Sequence, residues 1–171
     1  MVVKGKQQDT DLCWAGCLEW LFWYYNIVMP QANIVTQVKG RFINQGATDT
    51  EIVNGLNGLI LVDGQSYYQV NCSSFGGFYH PMQLRNALVN NGPFIAGLNT
   101  GEPGHAVVLC GSLYDKNLLF QADLFDDLRA VTIFDPADGE YKPKDSSFYL
   151  QKTAVVITFA VNQITVPSAR L

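Results

Sequence analysis

The hydrophobic pattern near the start of the chain predicts a buried helix. Residues 13–25 are apolar on almost every side, which is typical of a helix in the middle of a domain. Asp9, Thr10 and Asp11 come just before this run, and their side-chain oxygens are of the kind that caps a helix N-terminus. We therefore expect a helix that begins at about residue 13, with Cys13 in its first turn.

Further helices are predicted from capping and breaking residues. They are expected at residues 32–38 after Pro30, from Thr48 to Gly55 or Gly58, and from Pro81 to Asn91. The middle one has the clearest start, because Thr48 and Glu51 have the spacing of a capping box. The first half of the chain is therefore predicted to be mainly helical.

The second half has the short β-branched or aromatic runs that are typical of strands. They lie at residues 93–98, 105–111, 130–134 and 153–161, and an earlier one lies at 67–72. The segment 114–129 is ambiguous, since residues 118–125 fit either an added strand or a short helix. Helices followed by strands indicate an α+β protein rather than an alternating α/β one.

Length and composition favour a single folded domain. With 171 residues, 48% of them hydrophobic and 15% charged, the chain can bury a full core. We expect one domain over residues 1–171, with a helical half at 1–92 packed on an antiparallel, strand-rich half at 93–171.

Charge and hydropathy exclude several kinds of partner. The net charge is −4 and the eleven Lys and Arg residues are scattered, which argues against nucleic acid and anionic membrane surfaces. The longest apolar stretch, residues 18–29, is too short to cross a bilayer, so no membrane insertion is expected. No signal-peptide pattern is visible, which fits a cytoplasmic location or export without a cleavable signal. The oligomeric state and the compartment stay open.

The cysteines indicate free thiols rather than disulfides or a metal site. Cys13 and Cys17 lie one helical turn apart, where the geometry of a disulfide is rarely met. No Cys or His pair has the spacing of a zinc site, so neither a metal nor a cofactor is expected. Cys17, Cys72 and Cys110 are predicted to be packing residues.

Three residues at the ends of predicted elements suggest nucleophilic chemistry. Cys13 lies in the first turn of a helix, where the positive end of the helix dipole favours a thiolate. His105 begins a strand and Asp135 ends the next one, so neighbouring strands can bring base and carboxylate together. A nucleophile, a base and a group that orients the base are the parts of a catalytic triad.

The segment around Cys13 resembles the active-site segment of papain-like cysteine peptidases. Gln7 lies six residues before Cys13, and Trp14 and Ala15 follow it. The Gly-His-Ala-Val-Val-Leu run at His105 and the Asp-Pro-x-x-Gly run at Asp135 are similar to the other two segments, in the same order. The likeness is to compact bacterial members, namely bacteriocin leader peptidases and small effector proteases of plant pathogens.

This resemblance implies a fold, an activity and site roles. A helical half with the cysteine would face a strand-rich half with the histidine across a substrate cleft. Peptide bonds of a peptide or protein substrate would be hydrolysed through a thioester on Cys13. The Gln7 side chain and the Cys13 N–H would form the oxyanion hole, His105 would be the base and Asp135 would orient it.

Each site assignment has an alternative. Cys13 can instead be a buried structural thiol, Gln8 can replace Gln7, and Asp135-Pro136 is a common turn opener. His80, the other histidine, precedes Pro81 at a helix start and is predicted to be a cap or surface residue. Asp9 and Asp11 add negative charge that opposes thiolate formation unless they face away from the sulfur.

Several predictions concern the surroundings of the site. Trp20, Trp23 and Tyr24 are expected in the core. The aromatic loop 75–79 fits either the wall of the cleft or ordinary packing. Specificity is expected to depend on loops 73–80, 99–103 and 136–147.

Two other classes of function share these features. A deamidase, a transglutaminase-like enzyme or an acyltransferase would use the same triad with another amide or acceptor. A non-catalytic binding module would keep the fold without the chemistry.

Overall fold

A computed structural model describes residues 4–63, 66–78, 80–100, 104–114, 128–145, 147 and 151–164. The helices are α1 Cys13–Tyr24, α2 Gln31–Lys39, α3 Asp49–Leu56 and α4 Pro81–Asn91. The strands are β1 Ile60–Asp63, β2 Ser66–Gly76, β3 Phe94–Leu98, β4 His105–Tyr114, β5 Leu128–Asp135, β6 Glu140–Asp145 and β7 Thr153–Ile164.

The described strands form one antiparallel sheet in the order β1-β2-β7-β3-β4-β5-β6. Every neighbouring pair is antiparallel. The α+β prediction is therefore confirmed, with helices mostly first and strands mostly last. β1 and β2 come before residue 92 and still join the same sheet, so the helical half also contributes strands.

The two faces of the sheet are covered by different helices. In β3, Ile95 packs into the cluster formed with α1, α2 and α3, whereas its neighbours Phe94 and Ala96 pack into the cluster formed with α4. Successive strand residues point to opposite faces, so an all-apolar strand has to be covered on both. The apolar character of β3 thus follows from its central place between two layers of helix.

The predicted helices are confirmed to within a residue or two. At the start of α3, Thr48 and Glu51 make both hydrogen bonds of a capping box. The cap expected for α1 is wrong, because Leu12 is the N-cap residue and no side chain caps that helix. Residues 115–127 of the ambiguous segment lie outside the described residues; its ends are the last residue of β4 and the start of β5.

Two of the three aromatic residues predicted for the core are half exposed. Trp20 is buried, but Trp23 and Tyr24 are 50% and 49% exposed. Both rings pack on Trp20, which lies against Phe134 of the sheet. The helix is thus buried through its middle, while its last turn places large rings at the outer side of the core.

Gly16 in α1 allows the segment before the helix and the turn after β5 to approach closely. A Cβ atom at this position would lie 2.5 Å from the carbonyl oxygen of Gly5 and 2.9 Å from Cβ of Pro136. Real Cβ atoms do not come so near a backbone oxygen, so a side chain here forces the segments apart. The glycine therefore sets the spacing between the three segments.

We expect Gly16→Ala to lower the free energy of unfolding by about 1–3 kcal/mol, the usual cost of overpacking. The better helix propensity of alanine offsets only part of this. Chemical denaturation monitored by circular dichroism would measure the loss. The matched control is Gly76→Ala, because a Cβ there meets nothing within 4 Å; equal stability of the two variants would contradict the packing argument.

Candidate active site

Strands β4 and β5 bring a histidine and a carboxylate to the same edge of the sheet. His105 is the first residue of β4 and Asp135 is the last of β5, and the two strands are antiparallel neighbours. The start of one strand therefore lies beside the end of the other. Helix α1 packs against β4 and brings Cys13, its first residue, to this edge.

His105 interacts with both Cys13 and Asp135. Nε2 of His105 lies 2.8 Å from Oδ1 of Asp135. Cys13 lines the same groove as His105, and its side chain acts to raise the pKa of the imidazole. Since Nε2 is directed at the carboxylate, Nδ1 is the ring nitrogen left for the sulfur. The structure thus brings together the three residues that the sequence predicts as nucleophile, base and orienting group.

The pKa values of His105 and Asp135 shift in the directions expected for a coupled pair. The hydrogen bond with Cys13 is the main cause that raises the pKa of His105; burial acts against it and Asp135 adds to it. Burial acts to raise the pKa of Asp135, but hydrogen bonds from His105 and from the Ala137 N–H outweigh burial, so the pKa is lowered. The arrangement favours an imidazolium beside a carboxylate.

Lys142 of β6 is a third partner of the Asp135 carboxylate. Its Nζ lies 3.3 Å from Oδ2 of Asp135 and also contacts Asp138. The Ala137 N–H donates to Oδ1 at 3.1 Å. The carboxylate is thus held from both oxygens, which fixes the plane in which it meets His105. The sequence analysis missed Lys142, because β6 is a polar edge strand without a hydrophobic alternation.

Gln7 lines the same groove as Cys13 and His105, whereas Gln8 does not. Its backbone N–H donates to the carbonyl of Pro136 at 2.8 Å. Its side-chain Nε2 donates to the carbonyls of Asp9 and Thr10, both at 3.0 Å, and its buried Oε1 has no hydrogen-bond partner among the described residues. The Gln7 amide therefore shares the groove with Cys13, and both of its N–H donors are used by the neighbouring backbone carbonyls.

The start of α1 supplies backbone donors next to the sulfur. The first N–H groups of a helix have no partner within the helix, and Leu12 provides no side-chain cap. The Cys13 N–H therefore lies at the positive end of the helix dipole. Asp9 and Asp11, the acidic neighbours, are both exposed to solvent.

An open groove of about 840 Å³ passes over these residues. Its floor has small or apolar side chains from β3, β4 and β7, which leave room for an extended segment. The residues that line it are Gln7, Thr10, Asp11, Cys13, Trp14, Gly46, Ala47, Thr48, Gly97, Leu98, Gly104, His105, Ala106, Ala137, Ala154 and Val155. Cys13 of the helical half and His105 of the strand-rich half, which were expected to face each other across a cleft, therefore line one groove.

The aromatic loop does not line this groove. Phe75 and Phe78 border a separate hollow against α4, together with Asn86 and other polar residues of that helix. This hollow is on the other face of the sheet from α1, because Phe78 packs in the α4 cluster. Of the two alternatives for this loop, the structure favours ordinary packing; Tyr79 lies outside the described residues.

The remaining histidine and cysteines lie away from the chemistry. His80 is exposed at the start of α4, where its carbonyl accepts from the Gln83 N–H at 3.0 Å. Burial is the main cause that raises the pKa of each remaining thiol. The pKa of Cys17 is raised well above its ordinary value, the pKa of Cys72 is raised to about 12, and the pKa of Cys110 is raised to about 11. These thiols therefore stay protonated, as expected of packing residues.

Neither a metal cluster nor a membrane-spanning helix is found in the part of the chain that the structure describes. No group of three or more His, Cys, Asp or Glu side chains is arranged there to hold a metal ion. No helix there is both long and apolar enough to cross a bilayer.

A comparison with protein families identifies a family for this chain. The model of the family described as papain-like cysteine protease AvrRpt2 matches residues 2–154. A search of curated proteins gave no significant match. The matched range extends from before Gln7 to the start of β7 and includes every residue that lines the groove except Val155. Because the match covers most of the chain, this protein belongs to the papain-like cysteine protease family of AvrRpt2.

Proposed function

We propose that this protease cleaves peptide or protein substrates with Cys13 as nucleophile, His105 as base, Asp135 as orienting group and Gln7 as oxyanion donor. The observation that supports this most directly is the 2.8 Å hydrogen bond between His105 and Asp135, with Cys13 lining the same groove as His105. It lies in an open groove at the start of a helix. A nucleophile, a base and an orienter in mutual contact are the requirement for nucleophilic acyl transfer.

The first step is attack by the sulfur on the substrate carbonyl. His105 takes the Cys13 proton on Nδ1, and the thiolate adds to the carbonyl carbon as the carbonyl π bond breaks. Asp135 keeps Nε2 protonated and stabilises the imidazolium through the 2.8 Å hydrogen bond. Lys142 and the Ala137 N–H hold the carboxylate for this task.

The negative oxygen formed in this step needs hydrogen-bond donors. The Cys13 N–H is one such donor at the helix start. The Gln7 amide is the second in this proposal, and it would exchange one of its bonds to the Asp9 and Thr10 carbonyls for the oxyanion. His105 then protonates the leaving amine, and a water activated by the same imidazole hydrolyses the thioester.

We further propose that residues 1–171 act as one catalytic domain. The helices at 13–56 and the strands that carry His105 and Asp135 pack into one hydrophobic cluster. β1 and β2 from the first half extend the sheet of the second half. The two halves therefore share a core, which keeps the nucleophile and the base in fixed relation.

Replacing the nucleophile should abolish activity. We expect Cys13→Ala to remove peptide cleavage, whereas Cys17→Ala, the same change one helical turn away, keeps substantial activity because Cys17 is a buried packing residue. The assay is incubation with a complex peptide library, followed by mass spectrometry. Products of unchanged length would instead indicate a deamidase, and joined chains a transglutaminase-like enzyme. Cleavage by the Cys13→Ala protein would refute the proposed nucleophile.

Removing the Gln7 amide should slow the step that forms an oxyanion. We expect Gln7→Ala to lower kcat/KM by about 10²–10³-fold, the usual cost of one oxyanion donor. The matched control is Gln8→Ala, since the exposed Gln8 does not line the groove. A larger loss for Gln8→Ala than for Gln7→Ala would reverse the assignment between these two residues.

Removing the charge of Lys142 should move the pH profile. Its ammonium near Asp135 disfavours a second positive charge on His105, so Lys142→Met should raise the pKa of His105. Protonation of the leaving amine requires the imidazolium, so the basic limb of kcat/KM should move to higher pH, by up to about one pH unit because the pair is partly exposed and screened. Lys144→Met, two residues along the same strand, is the control. A shift to lower pH would contradict the electrostatic role of Lys142.

A further inference from the structure

Two polar side chains outside the groove hold the segment that contains Gln7. This segment, residues 5–8, is itself neither helix nor strand. Nε2 of Gln31 donates to the Lys6 carbonyl at 2.7 Å, and Oε1 of Gln31 accepts from the Gln8 N–H at 3.1 Å. The two bonds lie on either side of Gln7, so Gln31 fixes the backbone before and after it.

Glu19 of α1 completes this arrangement. Its Oε2 accepts from Nε2 of Gln31 at 2.8 Å and from the Gly5 N–H at 3.0 Å. One carboxylate thus joins the helix that contains Cys13, the start of α2 and the segment before Gln7. The backbone of this segment is therefore tied to the nucleophile helix by side-chain hydrogen bonds.

The Gln31 side chain suits this position because it both donates and accepts. Gln31 is completely buried, and a buried polar group is stable only when its bonding positions are filled. It uses both N–H groups and its oxygen here, on three different partners. A glutamate carboxylate has no N–H donors, and methionine has neither N–H donors nor a carbonyl acceptor, so neither side chain can replace the amide.

We propose that Gln31 is a positioning residue for the oxyanion hole, acting through the backbone on either side of Gln7. This inference rests on the proposed role of Gln7. Gln31 does not line the groove and touches no reacting atom. Its effect is to hold Gln7 against the Pro136 carbonyl and beside Cys13, where a small displacement of the amide weakens its bond to the oxyanion.

Two reagents separate this role from a general loss of structure. p-Nitrophenyl acetate acylates the sulfur through a tetrahedral oxyanion, whereas iodoacetamide alkylates it by displacement of iodide, with no oxyanion. The ratio of the two rates at Cys13 therefore reports the oxyanion hole alone. Damage to the fold, by contrast, reduces the reactivity of the thiol and so lowers the acylation and alkylation rates together.

We expect Gln31→Met to lower the acylation rate by about 10- to 100-fold with alkylation nearly unchanged, since a displacement near 1 Å has effects of this size. Gln37→Met is the matched control, because Gln37 lies on the exposed side of the same helix and bonds to the Gly55 carbonyl. The double variant Gln7→Ala with Gln31→Met should acylate no more slowly than Gln7→Ala alone, because the second change acts only through the first.

Other outcomes contradict the proposal in distinguishable ways. The role of Gln31 would be overturned if the acylation and alkylation rates of Gln31→Met fell equally, so that their ratio stayed unchanged. Additive losses in the double variant would overturn it as well. A normal ratio in Gln7→Ala would instead refute the proposed oxyanion role of Gln7. If Gln31→Met does not fold, Glu19→Ala is the second variant: it removes the acceptor shared by Nε2 of Gln31 and the Gly5 N–H, and it should lower the ratio in the same direction.

Discussion

The site depends on one close contact, in which the backbone at Gly5 and the ring of Pro136 both lie against Gly16 of α1. Cys13 is on the same helix, Gln7 follows Gly5 by two residues, and Pro136 directly follows Asp135. The Gln7 N–H also donates to the Pro136 carbonyl. Segments far apart in the sequence are thereby held at fixed spacing by backbone and small side chains, which have little conformational freedom to lose. A larger residue at this point would separate the nucleophile from the groups that activate it.

Charge along this edge of the sheet is arranged in an alternating series. The series runs from His105 to Asp135 and then to Lys142, and the carboxylate contacts both neighbours; Cys13 interacts with His105 from the groove. An imidazolium is favoured between a sulfur and a carboxylate, and an ammonium limits how strongly that carboxylate holds it. The exposure of these side chains, 28% for His105 and 17% for Asp135, leaves the base accessible from the groove while its partner is more protected. Such a balance suits a group that has to gain and lose a proton in each cycle.

Sequence reasoning predicted the residues whose role depends on local pattern. The capping box at Thr48 and the strand ends at His105 and Asp135 follow from signals within a few residues, and the antiparallel sheet joins those ends. Lys142 and Gln31 were missed, since their roles come from contacts across the fold. Lys142 lies in an edge strand with little buried surface and hence no hydrophobic alternation. Gln31 starts a largely polar helix, and nothing in that stretch distinguishes a buried glutamine from an exposed one.

The most direct test is the titration of His105 followed by NMR in the wild-type protein and in Cys13→Ala. The hydrogen bond with Cys13 is the main cause of the raised pKa of His105. We therefore expect a His105 pKa above the ordinary value of about 6.5 in the wild type and a lower one in Cys13→Ala. The same pKa in both proteins, near that of an ordinary histidine, would contradict the coupling between sulfur and imidazole.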